Sequence, residues 1–83
     1  MRRYFFDSGD AEHLVEDDMG VECEGIAAAR QAAVDGLIDL AREALGGSEQ
    51  QQLLVDIRDE SGRKILRLSL ILKIEKLELS ASR

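Results

Sequence analysis

The fold is decided by the stretch QLLVDIRDESGRKILRLSLILKI, residues 52–74. Leu53, Val55 and Ile57 alternate with Asp56 and Arg58; Asp59, Glu60, Ser61 and Gly62 carry turn chemistry; Leu66, Leu68, Leu70, Leu72 and Ile74 then alternate again. A period of two marks a strand with one apolar face, so the stretch reads as a β-hairpin. Directly opposed residues of an antiparallel pair share a face. The odd-numbered apolar set must therefore oppose the even-numbered one, and the numbers of opposed residues must sum to an odd value. A three-residue loop flanked by Asp59 and Arg63 sums to an even value and would set Arg67 opposite Val55 in the core. The expected connection is a two-residue loop of Ser61 and Gly62, or a four-residue loop over 59–62.

The second of these strands, read from 63 to about 77, would extend on the order of 45 to 50 Å, about twice the reach of 52–58. The surplus calls for another partner, either the first hairpin of the same chain or the equivalent strand of a second molecule. The apolar phase slips after Ile74, where Leu77 and Leu79 take odd positions, which signals a bulge or the end of the regular strand. Leu54, Ile65 and Ile71 fall on the face opposite the main apolar set, beside Arg67 and Lys73. That mixture suits an interface with a polar surround. These five residues are the expected contact of a homodimer. A single domain over 1–79 followed by a flexible tail over 80–83 completes the C-terminal reading.

Upstream the period changes. Ile26, Ala29, Ala33, Leu37, Leu40, Ala41, Ala44 and Leu45 follow helical spacing, with Arg30, Gln31, Asp35, Asp39, Arg42 and Glu43 on the other side and Gly46 and Gly47 as a stop. Gly25 is only a fair N-cap and no capping box follows it, so the first turn is expected to fray. Before it, Tyr4, Phe5 and Phe6 favour a strand, Ser8, Gly9 and Asp10 a turn, and His13, Leu14 and Val15 a second strand that Asp17, Asp18, Met19 and Gly20 end. One apolar helix stripe and one apolar face per hairpin assemble most simply as an α+β fold: ββαββ, a four-stranded antiparallel sheet with one amphipathic helix packed on one face.

The composition narrows the function classes. A chain of 83 residues with no proline, 45% hydrophobic residues and only Tyr4, Phe5 and Phe6 as aromatics has room for one thin aliphatic core. A net charge of −6 repels phosphate backbones and anionic lipid, so nucleic acid is an improbable partner. The longest apolar run falls far short of the roughly 20 residues a membrane span needs. A lone cysteine, Cys23, and no signal-peptide pattern lead to the expectation of a reducing cytoplasm.

The one cluster that invites chemistry is acidic. Asp7, Asp10, Glu12, Glu16, Asp17, Asp18 and Glu22 surround the only histidine, His13. The order of the calcium loop is absent, and Glu12 points to the opposite strand face from its neighbour His13, so it is a poor orienter for a general base. Cys23 lacks a CxxC partner, and no glycine-rich loop is followed by Lys and Ser or Thr. The cluster is read as the solvated rim of a hairpin, with no catalytic, cofactor-binding or metal residues and no cofactor expected. Arg58, Arg63, Lys64, Arg67 and Lys73 gather positive charge in the second hairpin, read as solvated side chains interleaved with acids.

Arg3-Tyr4-Phe5-Phe6-Asp7, Asp17-Asp18-Met19-Gly20-Val21-Glu22, Ala28-Ala29-Arg30 with Ala33, Leu40-Ala41-Arg42 and the run from Val55 through Arg63 together resemble a family of short bacterial proteins known as a domain of unknown function. The resemblance implies the ββαββ order and supplies no known activity, ligand or catalytic residues. Glu24-Gly25-Ile26 and Lys64 depart from its usual acidic cap, leucine and proline, which bears on turn details. A weaker likeness, at the level of fold, is to antitoxins of the HicB type, and fold alone does not assign function. The leading expectation is a non-enzymatic protein-binding or self-associating accessory module. A HicB-like regulatory antitoxin is the alternative, and a small metal-dependent enzyme the third.

Overall fold

The computed structural model of the chain describes residues 1–44 and 50–77. Its elements are β1 (Arg2–Asp10), β2 (Leu14–Val15), β3 (Val21–Cys23), α1 (Ile26–Ala44), β4 (Gln50–Arg58) and β5 (Lys64–Lys73). The fold is α+β, one helix on an open antiparallel sheet of five strands in the order β2-β1-β4-β5, with β3 also paired to β1. The fifth strand, β3, forms just beyond Asp17 to Gly20, the residues expected to end the second strand. β2 pairs with Ser8 and Gly9, β3 pairs with Arg2, Arg3 and Tyr4, and the two pairings are two residues out of step.

The first turn also lies later than its residue types suggest. β1 runs straight through Ser8 and Gly9, and the chain reverses over residues 11–13, where the Asp10 N–H donates to the His13 carbonyl at 3.0 Å. The Asp10 carboxylate accepts the N–H groups of Glu12 (2.9 Å) and His13 (2.8 Å) and so holds the turn. Gly9 is needed for close approach, not for turning: a Cβ there would collide with the His13 carbonyl oxygen.

The second hairpin satisfies the parity argument by a route that argument excluded. Leu53 opposes Leu70, Val55 opposes Leu68 and Ile57 opposes Leu66, odd against even throughout. Yet the Asp59 N–H donates to the Arg63 carbonyl at 2.9 Å and the Gly62 N–H to the Asp59 carbonyl at 3.0 Å, so the loop is the three residues Glu60, Ser61 and Gly62. Gly62 takes a φ of 91°, which only glycine adopts without steric cost. The register shifts between Ile57, opposite Leu66, and Arg58, opposite Lys64. Ile65 is the extra residue of a β-bulge, and the bulge restores the parity that the loop breaks.

β5 is shorter than expected and β4 longer. They match along nearly their whole length, so among the described residues no long surplus of strand is left over. It is β4, not β5, that pairs with the first hairpin, through contacts from Phe5 with Arg58 to Asp10 with Leu53. β3 and β4 are both antiparallel to β1 and flank it, so they run parallel, and α1 crosses one sheet face to join them.

The Gly25 carbonyl accepts the first helical N–H, from Ala29, at 3.0 Å. Ala29, Ala33 and Leu37 are buried against Tyr4, Cys23, Leu53, Val55 and Ile57, with Phe6, Leu40, Ala41 and Leu68 around them. Two alanines at the contact bring the helix close to the sheet, and apolar burial of this kind is the main stabilising contribution. Ile26, expected on the stripe, is instead 45% exposed. The Gly46 and Gly47 stop, Leu45, Leu79 and the tail over 80–83 lie outside the described residues.

Candidate functional site

Position in the sheet dictates the chemistry of its uncovered face. β4 is central, and Leu53, Leu54, Val55, Asp56 and Ile57 are all buried. The odd-numbered residues meet the helix. The even-numbered ones lie on the other face, where Asp56 stands directly opposite Asp7 of β1. Like charges in directly opposed positions are destabilising unless each is compensated. Here the Arg58 guanidinium grips Asp7 at 2.8 and 3.1 Å, and Arg67 grips Asp56 at 2.6 and 2.8 Å. Lys64 adds a third contact to Asp56 at 2.8 Å. The bulge at Ile65 is what turns Lys64 to this face, since unbroken alternation would send it to the core. Arg58 also lies over the Phe5 ring, 5.0 Å from its centroid.

Asp17 ties this network to the break in the second strand. Its backbone N–H donates to the Asp7 carboxylate at 2.9 Å, and its carbonyl accepts from Arg58 at 2.7 Å. Its own carboxylate accepts the Phe6 N–H at 3.0 Å, a group that the gap between β2 and β3 leaves without a strand partner. The same carboxylate takes the N–H groups of Met19 (3.0 Å) and Gly20 (3.1 Å) and shapes the loop between the two short strands.

The electrostatics follow from these contacts. Arg67 and then Lys64 outweigh desolvation at Asp56 and lower its pKa to about 2. Burial raises the Asp7 pKa, but Arg58 and the Asp17 N–H prevail and hold it below the usual value. Burial likewise opposes ionisation of Asp17, and the N–H groups of Phe6, Gly20 and Met19 overcome it. Carboxylates held ionised and saturated with donors act as clamps across three strands; near neutrality they neither take nor give a proton.

Asp7, Asp10 and Asp17 are occupied by backbone N–H groups and Arg58, and among the described residues no three His, Cys, Asp or Glu side chains form a metal-ligating group. His13 is exposed at the turn, and Cys23 is buried in the core. Arg58, Lys64 and Arg67, read as solvated charges, are instead engaged with Asp7 and Asp56.

The five expected interface residues are not brought together as one patch. Leu54 is 5% exposed and already enclosed within the chain. Ile65, displaced by the bulge, lines a cleft with Tyr4, Ile26 and Glu60 and another with Arg67, Lys64 and Asp56. Arg67, Ile71 and Lys73 stay exposed in one row of β5, Ile71 at 62%. β5 is the last strand of the sheet, and among the described residues its outer edge pairs with nothing. On the helix side of that edge Leu66 and Leu70 are exposed, and Val34, Leu37 and Ile38 of α1 form a shallow apolar groove with Leu68 and Leu70. No helix among the described residues is long and apolar enough to cross a membrane.

The model of one protein family, a domain of unknown function (DUF6894), matches residues 3–71. The chain belongs to the DUF6894 family. The DUF6894 match begins in β1 and ends in β5, so it takes in the helix, both hairpins and every member of the Asp7 and Asp56 network. No curated protein and no solved structure matches the chain.

The residues of this network were missed by sequence reasoning, although one signal pointed to them. Asp56 is an acidic residue inside an apolar strand, and the odd-sum register sets it opposite Arg67. The contribution of Asp7 depended on strand order, which pattern alone did not supply.

Proposed function

We propose that this protein is a non-enzymatic cytoplasmic module that works by strand pairing at its β5 edge, first of all with a second copy of itself. The observation that carries the reading is the exposed edge of β5, flanked on one side by Leu66 and Leu70 and on the other by Ile71. Edge strands usually carry devices that discourage pairing, such as bulges and inward charges. Here the bulge and Lys64 sit at one end, and residues 66–72 offer an uninterrupted, largely apolar edge. A core this thin gains from sharing it.

The HicB-like alternative would have a basic partner dock on the acidic first hairpin. Two of its carboxylates, Asp7 and Asp17, are turned onto Arg58 and backbone N–H groups, which reduces the charge such a partner would meet and favours the edge. Analytical ultracentrifugation across micromolar concentrations tests the reading. A dimer is expected for the wild-type chain. A single species of about 9.2 kDa throughout overturns it.

A further inference from the structure

The β5 edge carries its own register. Backbone groups alternate in direction along an antiparallel strand, so one known bond sets the phase for the whole sheet. The Asp10 N–H points to His13, away from β4. Phe6, two steps of two residues earlier, also points that way, to Asp17. Phe5, Asp7 and Gly9 therefore turn their backbone groups toward β4, where they meet Arg58, Asp56 and Leu54. Leu53, Val55 and Ile57 then face β5 and meet Leu70, Leu68 and Leu66. What remains for the open edge is the N–H and C=O of Arg67, Ser69, Ile71 and Lys73.

A second β5 must offer its own odd-numbered residues to these groups, so in an antiparallel pair each odd residue opposes another odd one. Few such registers keep most of the ten-residue strand paired. Setting Arg67 opposite Ser69 puts the bulge residue Ile65 against Ile71 and limits the regular ladder to 66–70, and setting Arg67 opposite itself or Lys73 puts cation on cation. Like charges directly opposed are unfavourable. Setting Ile71 opposite itself pairs only the last part of the strand.

We infer that two chains join antiparallel along β5 with the two-fold axis at Ser69, so that Ser69 faces Ser69, Arg67 faces Ile71, Leu66 faces Leu72 and Leu68 faces Leu70 of the second copy. This rests on the edge reading above. Three features agree with it. The smallest side chain of the row sits on the axis, the cations of this row face apolar partners, and the exposed Leu66 and Leu70 become a continuous leucine ladder beside the Val34 and Ile38 groove. Arg67 keeps its grip on Asp56 within its own chain.

Cysteine substitutions read the register. Opposed residues in a hydrogen-bonded pair have Cα atoms about 5.5 Å apart, within the span of about 4.4 to 6.8 Å that a disulfide bridges. With copper–phenanthroline in air, most Ser69→Cys protein is expected to become covalent dimer. Arg67→Cys and Ile71→Cys should each stay monomeric on denaturing gels and cross-link when mixed. The wild-type chain, whose Cys23 is buried, is the control. A sedimenting dimer in which Ile71→Cys or Arg67→Cys cross-links to itself while Ser69→Cys does not overturns the register and leaves the edge reading intact. A wild-type chain that sediments as monomer overturns both. Ser69→Pro supplies a second readout: it removes an outward N–H that no ladder bond among the described residues uses, so the fold should persist while dimerisation is lost. A Ser69→Pro chain that folds and still sediments as a dimer counts against the inference.

Discussion

Asp7 and Asp56 face each other across the β1–β4 ladder, both buried, and each is held by a different arginine, Arg58 and Arg67. The partners differ in their access to water. Arg58 is largely enclosed, with 16% of its side chain exposed, whereas Arg67 and Lys64 are 55% and 54% exposed. Removing different members of the network therefore has unequal cost. Asp56→Asn releases two cations that swing into solvent. Arg67→Met combined with Lys64→Met strands a buried carboxylate, and breaking a buried pair in this way costs about 3 to 5 kcal/mol. Urea melts should show the double variant as clearly the less stable, and an equal or smaller loss would mean that Asp56 is better hydrated than its burial indicates.

Acid should unfold the protein through these same groups. The Asp56 pKa falls from 3.8 to about 2 on folding, and those of Asp7 and Asp17 are lowered in the same direction. A carboxyl whose pKa is depressed in the folded state stabilises the fold above its unfolded value and loses that contribution as pH falls through the folded one. Stability from Asp56 should thus be complete above about pH 4 and lost by about pH 2. Denaturation midpoints measured between pH 7 and pH 2 should bend downward in that window, with the bend reduced in Asp56→Asn. An unchanged acid limb in the variant would remove Asp56 from the account.

The helix stripe should be unequal along its length. Leu37 is 6% exposed and packs with Leu53, Val55 and Ile57, so Leu37→Ala should cost about 2 to 5 kcal/mol. Ile26→Ala should cost less, because Ile26 is 45% exposed. Asp39→Ala should stay within about 0.5 kcal/mol, since its contact with Arg42 is 3.8 Å long and open to water. Similar losses at all three positions in chemical denaturation would contradict the packing of α1 on β4.

How far the residues themselves foretold this arrangement depends on the range of the interaction. Period-two and period-3.6 patterns are local, and they located β4, β5 and α1, although β5 ends at Lys73, short of the expected 77, and Ile26 falls off the buried stripe. Parity also required Leu53, Val55 and Ile57 to oppose Leu66, Leu68 and Leu70, and they do. The route was missed because a three-residue loop and a bulge cancel each other's effect on register, and pattern senses only the net result. Asp17 was read as a strand terminator. Its second task, receiving the Phe6 N–H where the edge strand is broken, joins residues eleven positions apart and follows from pairing, not from spacing. Placing β1 against β4 buries Asp56 and turns three cations read as solvated into its partners and those of Asp7.

The Asp17 carboxylate receives three backbone N–H groups, from Phe6, Met19 and Gly20, and its main chain touches both Asp7 and Arg58. In Asp17→Ala the exposed Met19 N–H finds water, but the Phe6 N–H is partly buried at the break and is left unsatisfied, at a cost of about 1 to 3 kcal/mol. Asp17→Asn is only a partial rescue. Its amide oxygen serves Met19 and Gly20 or else Phe6, because the other end of the group is a donor facing a donor. Amide exchange separates this local effect from global loss. In Asp17→Ala the Phe6 and Gly20 amides should exchange faster while Val55 and Leu68 in the β4–β5 ladder change little, and Asp17→Asn should fall between the variant and the wild type. Undiminished protection at Phe6 would mean that the break in the edge strand is closed by something other than Asp17.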